Sequence, residues 1–411
     1  MGLVSDLAEQ LWTGARSTVE QSPFAPVPAI EEVAERAAFV SSFANVTAVD
    51  TDDGLVLIDA GGFLVGASVF GMLRTWSARR LNAAVYTHGH VDHVFGVERF
   101  DAESRERGWP KVRVLAHEGV PARFERYRLT GGYNACINSR QFGIAVKWPE
   151  QFRFPDETYR AETRLDVGGE RFELHPARGE TDDHTWVWLP RRKLLCTGDL
   201  FIWATPNAGN PQKVQRYPRE WAQALRQMAA LGAEVLCPGH GLPIFGAARI
   251  RQALDDTAEL LEILVEETLA RMNAGLALDV ILREVKAPER LLERPYLRPI
   301  YDDPQFIVRN VWRQFGGWWD GNPARLKPPP DGKLAGEVAA LAGGAARLIE
   351  RAQAIADAGD LALACQLAEW AAQAAPSDAA ICRTRAALYR RSAGEETSLM
   401  AKGIFRAAAG D

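Results

Sequence analysis

A chain of 411 residues is long for one core, and its length implies two to three domains. With 47% hydrophobic and 25% charged residues, the composition is that of a globular protein and excludes a mainly disordered one. A net charge of −5 offers nucleic acid no general basic field, and the five cysteines (Cys136, Cys196, Cys237, Cys365, Cys382) never fall in CxxC spacing, which excludes a disulfide scaffold and a thiolate zinc site.

The N-terminus has no basic segment followed by an apolar one, and no run reaches the ~18 apolar residues a membrane span needs. The expectation is a cytoplasmic protein with neither nucleic acid nor membrane as partner. Residues 1–245 alternate short apolar runs with helical patterns, the mark of an α/β layer structure. Gly54 to Ile58 reads as a buried strand closed by glycines, and residues 66–80 as a helix. Ala83 to Tyr86 is a second strand that runs straight into Thr87-His88-Gly89-His90-Val91-Asp92-His93. Further strands are expected at Val112 to Ala116, Phe172 to His175, Thr185 to Leu189, Lys193 to Cys196 and Val235 to Cys237.

Past Ala247 the pattern changes. Ile250, Leu254, Leu261, Leu264 and Leu269 recur at helical spacing among many charges, which predicts an amphipathic helix over 248–275. An aromatic helical stretch follows from Tyr301 to Trp319, then a stiff linker at Lys327-Pro328-Pro329-Pro330. Residues 333–409 are Ala-rich and helical, with the small-residue spacing of closely packed helix pairs, loosely like a tetratricopeptide unit. The expected boundaries are 1–245, 246–330 and 331–411.

Four potential ligands within six residues, His88, His90, Asp92 and His93, can line one pocket from a single loop, and the HxHxDH spacing after a strand is a specific metal signature. Glu180, Asp199 and His240 each sit at a predicted strand end in a glycine-containing turn, in the order a repeated strand-and-loop scaffold needs. Cys196 and Cys237 fall in apolar strand contexts and read as core. His184, four residues after Glu180, is a candidate for orienting a ligand or for general acid.

These motifs, in this order, resemble the metallo-β-lactamase superfamily, with Asp59 in Ile58-Asp59-Ala60-Gly61 matching its first motif as a supporting carboxylate. Gly179-Glu180-Thr181, where most members carry Gly-His-Thr, is similar to the alkylsulfatase branch. So are Asn134-Ala135 with Arg140-Gln141-Phe142-Gly143. Tyr301 and Asn310 with Gly317 to Pro323 resemble that branch's dimerisation region. The resemblance implies an αββα sandwich, residues 1–245, followed by an all-α region. Within that region, 246–330 would dimerise and 331–411 form a separate helical portion.

It also implies two Zn²⁺ ions, one on His88, His90 and Glu180, the other on Asp92, His93 and His240, with Asp199 bridging. Manganese and iron are alternatives, because two divalent cations against three carboxylates and a hydroxide make a nearly neutral centre with a hard ligand set. The expected activity is hydrolysis by a metal-bridging hydroxide of an alkyl sulfate or related ester, with Asp92, Asp199 and His184 in catalytic roles. Candidate substrate contacts are Asn134, Arg140, Trp203, Asn207, Lys213 and Arg216. A carboxylic ester, lactone or thioester hydrolase is the alternative, since a near-neutral centre suits a neutral carbonyl. A helical scaffold with a vestigial site is opposed by the complete ligand set. A homodimer is expected, because an aromatic-rich arm is hard to cover within one chain.

Overall fold

The computed structural model describes residues 2–25 and 27–410. The chain divides into two compact units: 1–131 with 148–275 and 281–315, and 132–147 with 276–280 and 316–411. The segment 246–330 contributes to both.

The first unit holds two mixed sheets. One has the spatial order β1 (Ala29–Ala34), β2 (Ala37–Ser41), β3 (Val46–Thr51), β4 (Gly54–Ile58), β5 (Leu81–Tyr86), β6 (Arg113–His117) and β7 (Glu157–Tyr159). The other runs β13 (Ile244–Phe245), β12 (Val235–His240), β11 (Leu194–Ile202), β10 (His184–Leu189), β9 (Glu170–Ala177) and β8 (Thr163–Val167). The central strands β4, β5, β10 and β11 are buried along their whole length and are largely apolar because both faces are covered. Helices Gly66–Trp76 and Val97–Arg107 pack on the first sheet, and Pro218–Ala229 and Ala247–Asn273 on the second, which completes an α/β layer structure.

β4, β5 and β6 are parallel, as are β11 and β12, so their C-terminal ends, with the loops that follow them, come together. The Thr185 N–H donates to Thr87 O at 2.7 Å and ties the two sheets at that end. β11 runs on past Cys196 to Ile202 and carries Asp199 inside the strand, beyond the end its sequence suggested. The helix expected over 248–275 spans Ala247–Asn273, burying Ile250, Leu254, Leu261 and Leu264. The aromatic stretch is helical over Pro304–Gly316.

In the second unit, helices Asp331–Leu341, Ala345–Asp357, Leu361–Ala374, Ala379–Glu395 and Leu399–Ala409 form an all-helical array. Its core is made of small residues, among them Ala352, Ala364, Ala368 and Ala371, all fully buried. Such residues let helix axes approach closely. Asp360 and Asp378 accept backbone N–H groups at the starts of two of these helices and satisfy donors that would otherwise be orphaned. Among the described residues no helix is long and apolar enough to cross a membrane.

Candidate metal centre

Seven side chains converge at the sheet ends. His88, His90, Glu180 and Asp199 offer ligand atoms within 4.8 Å of one another, and Asp92, His93 and His240 form a second such group. Asp199 joins them, with Oδ2 at 3.7 Å from His88 Nε2 and 3.3 Å from His240 Nε2, and Oδ1 at 3.4 Å from His93 Nε2. Glu180 Oε2 lies 3.7 Å from His90 Nδ1 and 3.9 Å from His88 Nε2. Asp92 Oδ2 lies 3.4 Å from His240 Nε2 and 3.7 Å from His93 Nε2. A tetrahedron of ~2.1 Å metal–ligand bonds has edges of about 3.4 Å, which these distances match, while His88 Nε2 and His90 Nδ1 approach more closely, to 2.8 Å.

The far side of three of the four rings is pinned. His93 Nδ1 bonds Asp59 Oδ2 at 2.7 Å, His88 Nδ1 meets Thr87 Oγ1 at 3.0 Å, and His240 Nδ1 donates to the Phe43 carbonyl. With Nδ1 engaged, each Nε2 lone pair faces the site, as outer partners of metal ligands arrange it. Asp59 also accepts from the Thr87 N–H at 2.7 Å and hydroxyl at 2.8 Å, and does so from a left-handed backbone (φ 60°) that aspartate tolerates better than most residues.

Three buried ligand atoms, His93 Nε2, Glu180 Oε2 and Asp199 Oδ1, have no hydrogen-bond partner among the described residues. Orphaned polar atoms are costly to bury, and three spread over the two ligand groups fit divalent cations. The electrostatics divide the set: burial opposes charge on His93 and His240, but Asp199 outweighs it and draws both rings up, His93 well up. Burial, then the neighbouring His93 ring, holds His88 well below the usual imidazole range, and burial with Arg216 does the same to His90, so both stay neutral. Burial, with Asp199 close by, pushes Glu180 well up despite Arg216. Burial opposes charge on Asp199 too, but His240 and His93 outweigh it and keep it a carboxylate.

Two glycines make room for these loops. A Cβ on Gly239 would lie 2.1 Å from Asp199 Oδ1, and one on Gly198 (φ 51°) 2.6 Å from the His184 ring.

The other expected site residues divide. His184 is fully buried, stacks on His88 at 4.7 Å, and its Nε2 accepts the Asp199 N–H at 3.1 Å. Burial pulls it down to about 4. It supports the backbone of Asp199 through that nitrogen, which leaves no proton there to give away. Asn207 and Arg216 are buried and donate to Glu180: Asn207 Nδ2 and Arg216 Nη2 to Oε1, Arg216 Nη1 to the main-chain O. Lys213 is partly buried, and burial, then the charge of Arg216, draws its ammonium down to about 8. Trp203, expected to meet an apolar tail, is fully buried instead, its indole N–H on Leu242 O at 2.7 Å and its ring edge-on to Trp12. Asn134, buried, and Arg140, exposed, belong to the second unit on helix Gly131–Phe142.

Sequence reasoning missed three supports. Asn45 Nδ2 donates to Pro238 O at 3.1 Å and Gly241 O at 2.9 Å, which fixes the His240 turn. Asp183 Oδ2 accepts from the Gly89 N–H at 3.3 Å and pairs with buried Arg123 at 2.6 Å, which fixes the His88–His90 turn. Asp183 was visible beside Glu180; Asn45 and Arg123 stand far from any motif and carry no local signal.

Comparison with known proteins gives the same picture. Residues 41–240 match the metallo-beta-lactamase superfamily and residues 278–411 match alkyl sulfatase dimerisation. A linear primary-alkylsulfatase of Pseudomonas sp. is 26% identical over 365 residues, covering 84% of this chain and 69% of that protein. An (R)-specific secondary-alkylsulfatase, also from Pseudomonas sp., is 28% identical over 354 residues, covering 79% and 53%. The crystal structure of a stereoselective inverting sec-alkylsulfatase from Pseudomonas sp. superposes with a TM-score of 0.83 at 25% identity, over 93% of this chain and 65% of that one. The chain thus spans between about half and two thirds of the length of these relatives. With its ligand set, sheet order and both matched regions in hand, the chain carries a metallo-β-lactamase-superfamily domain followed by an alkylsulfatase-type dimerisation domain.

Proposed function

We propose that the protein is a metal-dependent hydrolase acting on an alkyl sulfate or related ester, with two zinc ions held by the two ligand groups. The observation that carries this is the pair of groups sharing Asp199 around three orphaned, buried ligand atoms. Divalent cations bound there would supply Lewis acidity and lower the pKa of a coordinated water.

The chain's own residues do the rest. His90 and Asp92 keep 16% and 25% side-chain exposure, the most of the set, and mark the side from which substrate enters. Asp92, open on that side, accepts a hydrogen from the attacking water and orients it. Lys213, within electrostatic reach of Asp92 and Glu180, supplies positive charge for an anionic ester. Phe24 stacks on Tyr301 at 4.6 Å and lies 5.6 Å from the His240 ring, offering apolar surface beside the site for a hydrocarbon tail.

A second reading, a carboxylic ester, lactone or thioester substrate, draws on the engagement of Asn207 and Arg216 with Glu180, which withdraws two donors from a sulfonate. A panel of these esters on protein of measured metal content separates the two. Turnover of dodecyl sulfate without lactone or thioester turnover supports the first reading, and the reverse refutes it. The matched dimerisation region and the exposed Trp318, Leu326, Leu334 and Leu341 favour a homodimer.

A further inference from the structure

Glu180 is held in an unusual way for a buried carboxylate at a cation site. Its two oxygens have separate fates. Oε1 takes the Asn207 amide and, at 3.3 Å, Arg216 Nη2, while Oε2 is left unpartnered towards His88 and His90. Arg216 grips the same residue twice, because its Nη1 donates to the Glu180 main-chain oxygen.

The guanidinium is itself among the largest fully buried side chains of the protein. Its backbone is fixed from helix Pro304–Gly316, where Asn310 Nδ2 donates to Arg216 O at 3.0 Å and Asn310 Oδ1 accepts from Gln215 Nε2 at 3.0 Å. An arginine buried in this way is stable only beside an anion, and its planar fork holds a carboxylate in one orientation.

We propose that Arg216, with Asn207, is a positioning residue for the metal centre. The pair clamps Glu180 so that only Oε2 can ligate, and the guanidinium cancels the glutamate's charge. The Glu180–Arg216 unit then acts towards a cation as a neutral, single-atom donor. Arg216 does not touch substrate. This inference rests on the metal assignment above, and it gives an otherwise three-carboxylate centre the net positive charge needed to attract an anionic ester.

The test is a metal titration of the full-length protein, using zinc against a chromophoric chelator and cobalt(II) for its visible spectrum. Wild type binding no metal would sink the metal assignment itself, a separate failure. With two equivalents bound by wild type, Arg216→Met should weaken one equivalent by about 10–100-fold and shift the cobalt bands of that equivalent, as loss of an outer partner does. The other equivalent should be unchanged, which also reports that the variant is folded. Arg216→Lys should recover part of the loss and Asn207→Ala should show a smaller one. If Arg216→Met does not fold, the latter two variants carry the test. In a Glu180→Gln background, Arg216→Met should cost little further affinity, because its effect runs through the carboxylate. Unchanged affinity and spectra for both equivalents, with a raised KM for a sulfate ester, would overturn the proposal and make Arg216 a substrate contact.

Discussion

At the scale of single residues, the centre is decided by what each ring nitrogen and carboxylate oxygen already holds. His93 gives Nδ1 to Asp59 and His240 gives Nδ1 to the Phe43 carbonyl, so both present Nε2 inward. Asp199 lies within 3.7 Å of His88 in its own group and of His93 and His240 in the other. Asp199→Ala is therefore expected to weaken both metal equivalents by at least about 100-fold, more than loss of an outer partner does. Elemental analysis after gel filtration checks it, and retention of two equivalents would remove Asp199 as the bridge. His184 holds the backbone of the same residue from behind, through the Asp199 N–H.

At the scale of elements, the segment after Asp199 is shaped by the helical arm as much as by its own sequence. Asp302, just ahead of helix Pro304–Gly316, accepts the Gly209 N–H at 2.6 Å and the Asn210 N–H at 3.2 Å, and Asn310 holds Arg216. Burial raises Asp302 to about 7 against the pull of three backbone donors, with Asp303 adding a like charge. A carboxyl whose folded pKa lies above its unfolded value, ~3.9, stabilises the fold in its protonated form. That contribution is complete below about pH 4 and lost as pH rises through 7. Asp302→Asn should therefore shrink the fall in stability between pH 5 and pH 8, measured by urea unfolding at each pH. An undiminished fall would place its origin elsewhere.

For the molecule as a whole, the metal groups lie entirely within the first unit, whereas the second is an all-helical array packed on alanines. Ligands that bind only the folded state stabilise it by mass action, about 4 kcal/mol at a thousandfold excess over Kd. Chelation should therefore lower the unfolding temperature of the first unit and leave that of the second in place. Calorimetry with and without chelator reads this directly, and an equal shift in both would show that metal binding is not confined to the first.

The HxHxDH run, Glu180 and His240 were legible in the sequence because they lie at or just after strand ends, which apolar runs and glycines mark locally; Asp199 was legible by the same glycine signal, although β11 carries it inside the strand. The amphipathic helix over 247–273 was legible for the same local reason, a hydrophobic period. Arg216, Asn207 and Trp203 were not. Each is a polar or aromatic residue in one loop, and whether it faces substrate, a ligand or the core depends on which distant chain covers it. Asn45, Arg123 and Asp302 reach their partners across 193, 60 and 93 residues, with no periodicity to announce them. Local spacing thus marked the α/β layers and the candidate ligand residues, and the sandwich was implied by resemblance to a known family. Tertiary packing decided that Arg216 and Asn207 serve Glu180, because hydrogen-bond partners of a buried charge are set by what folds against it.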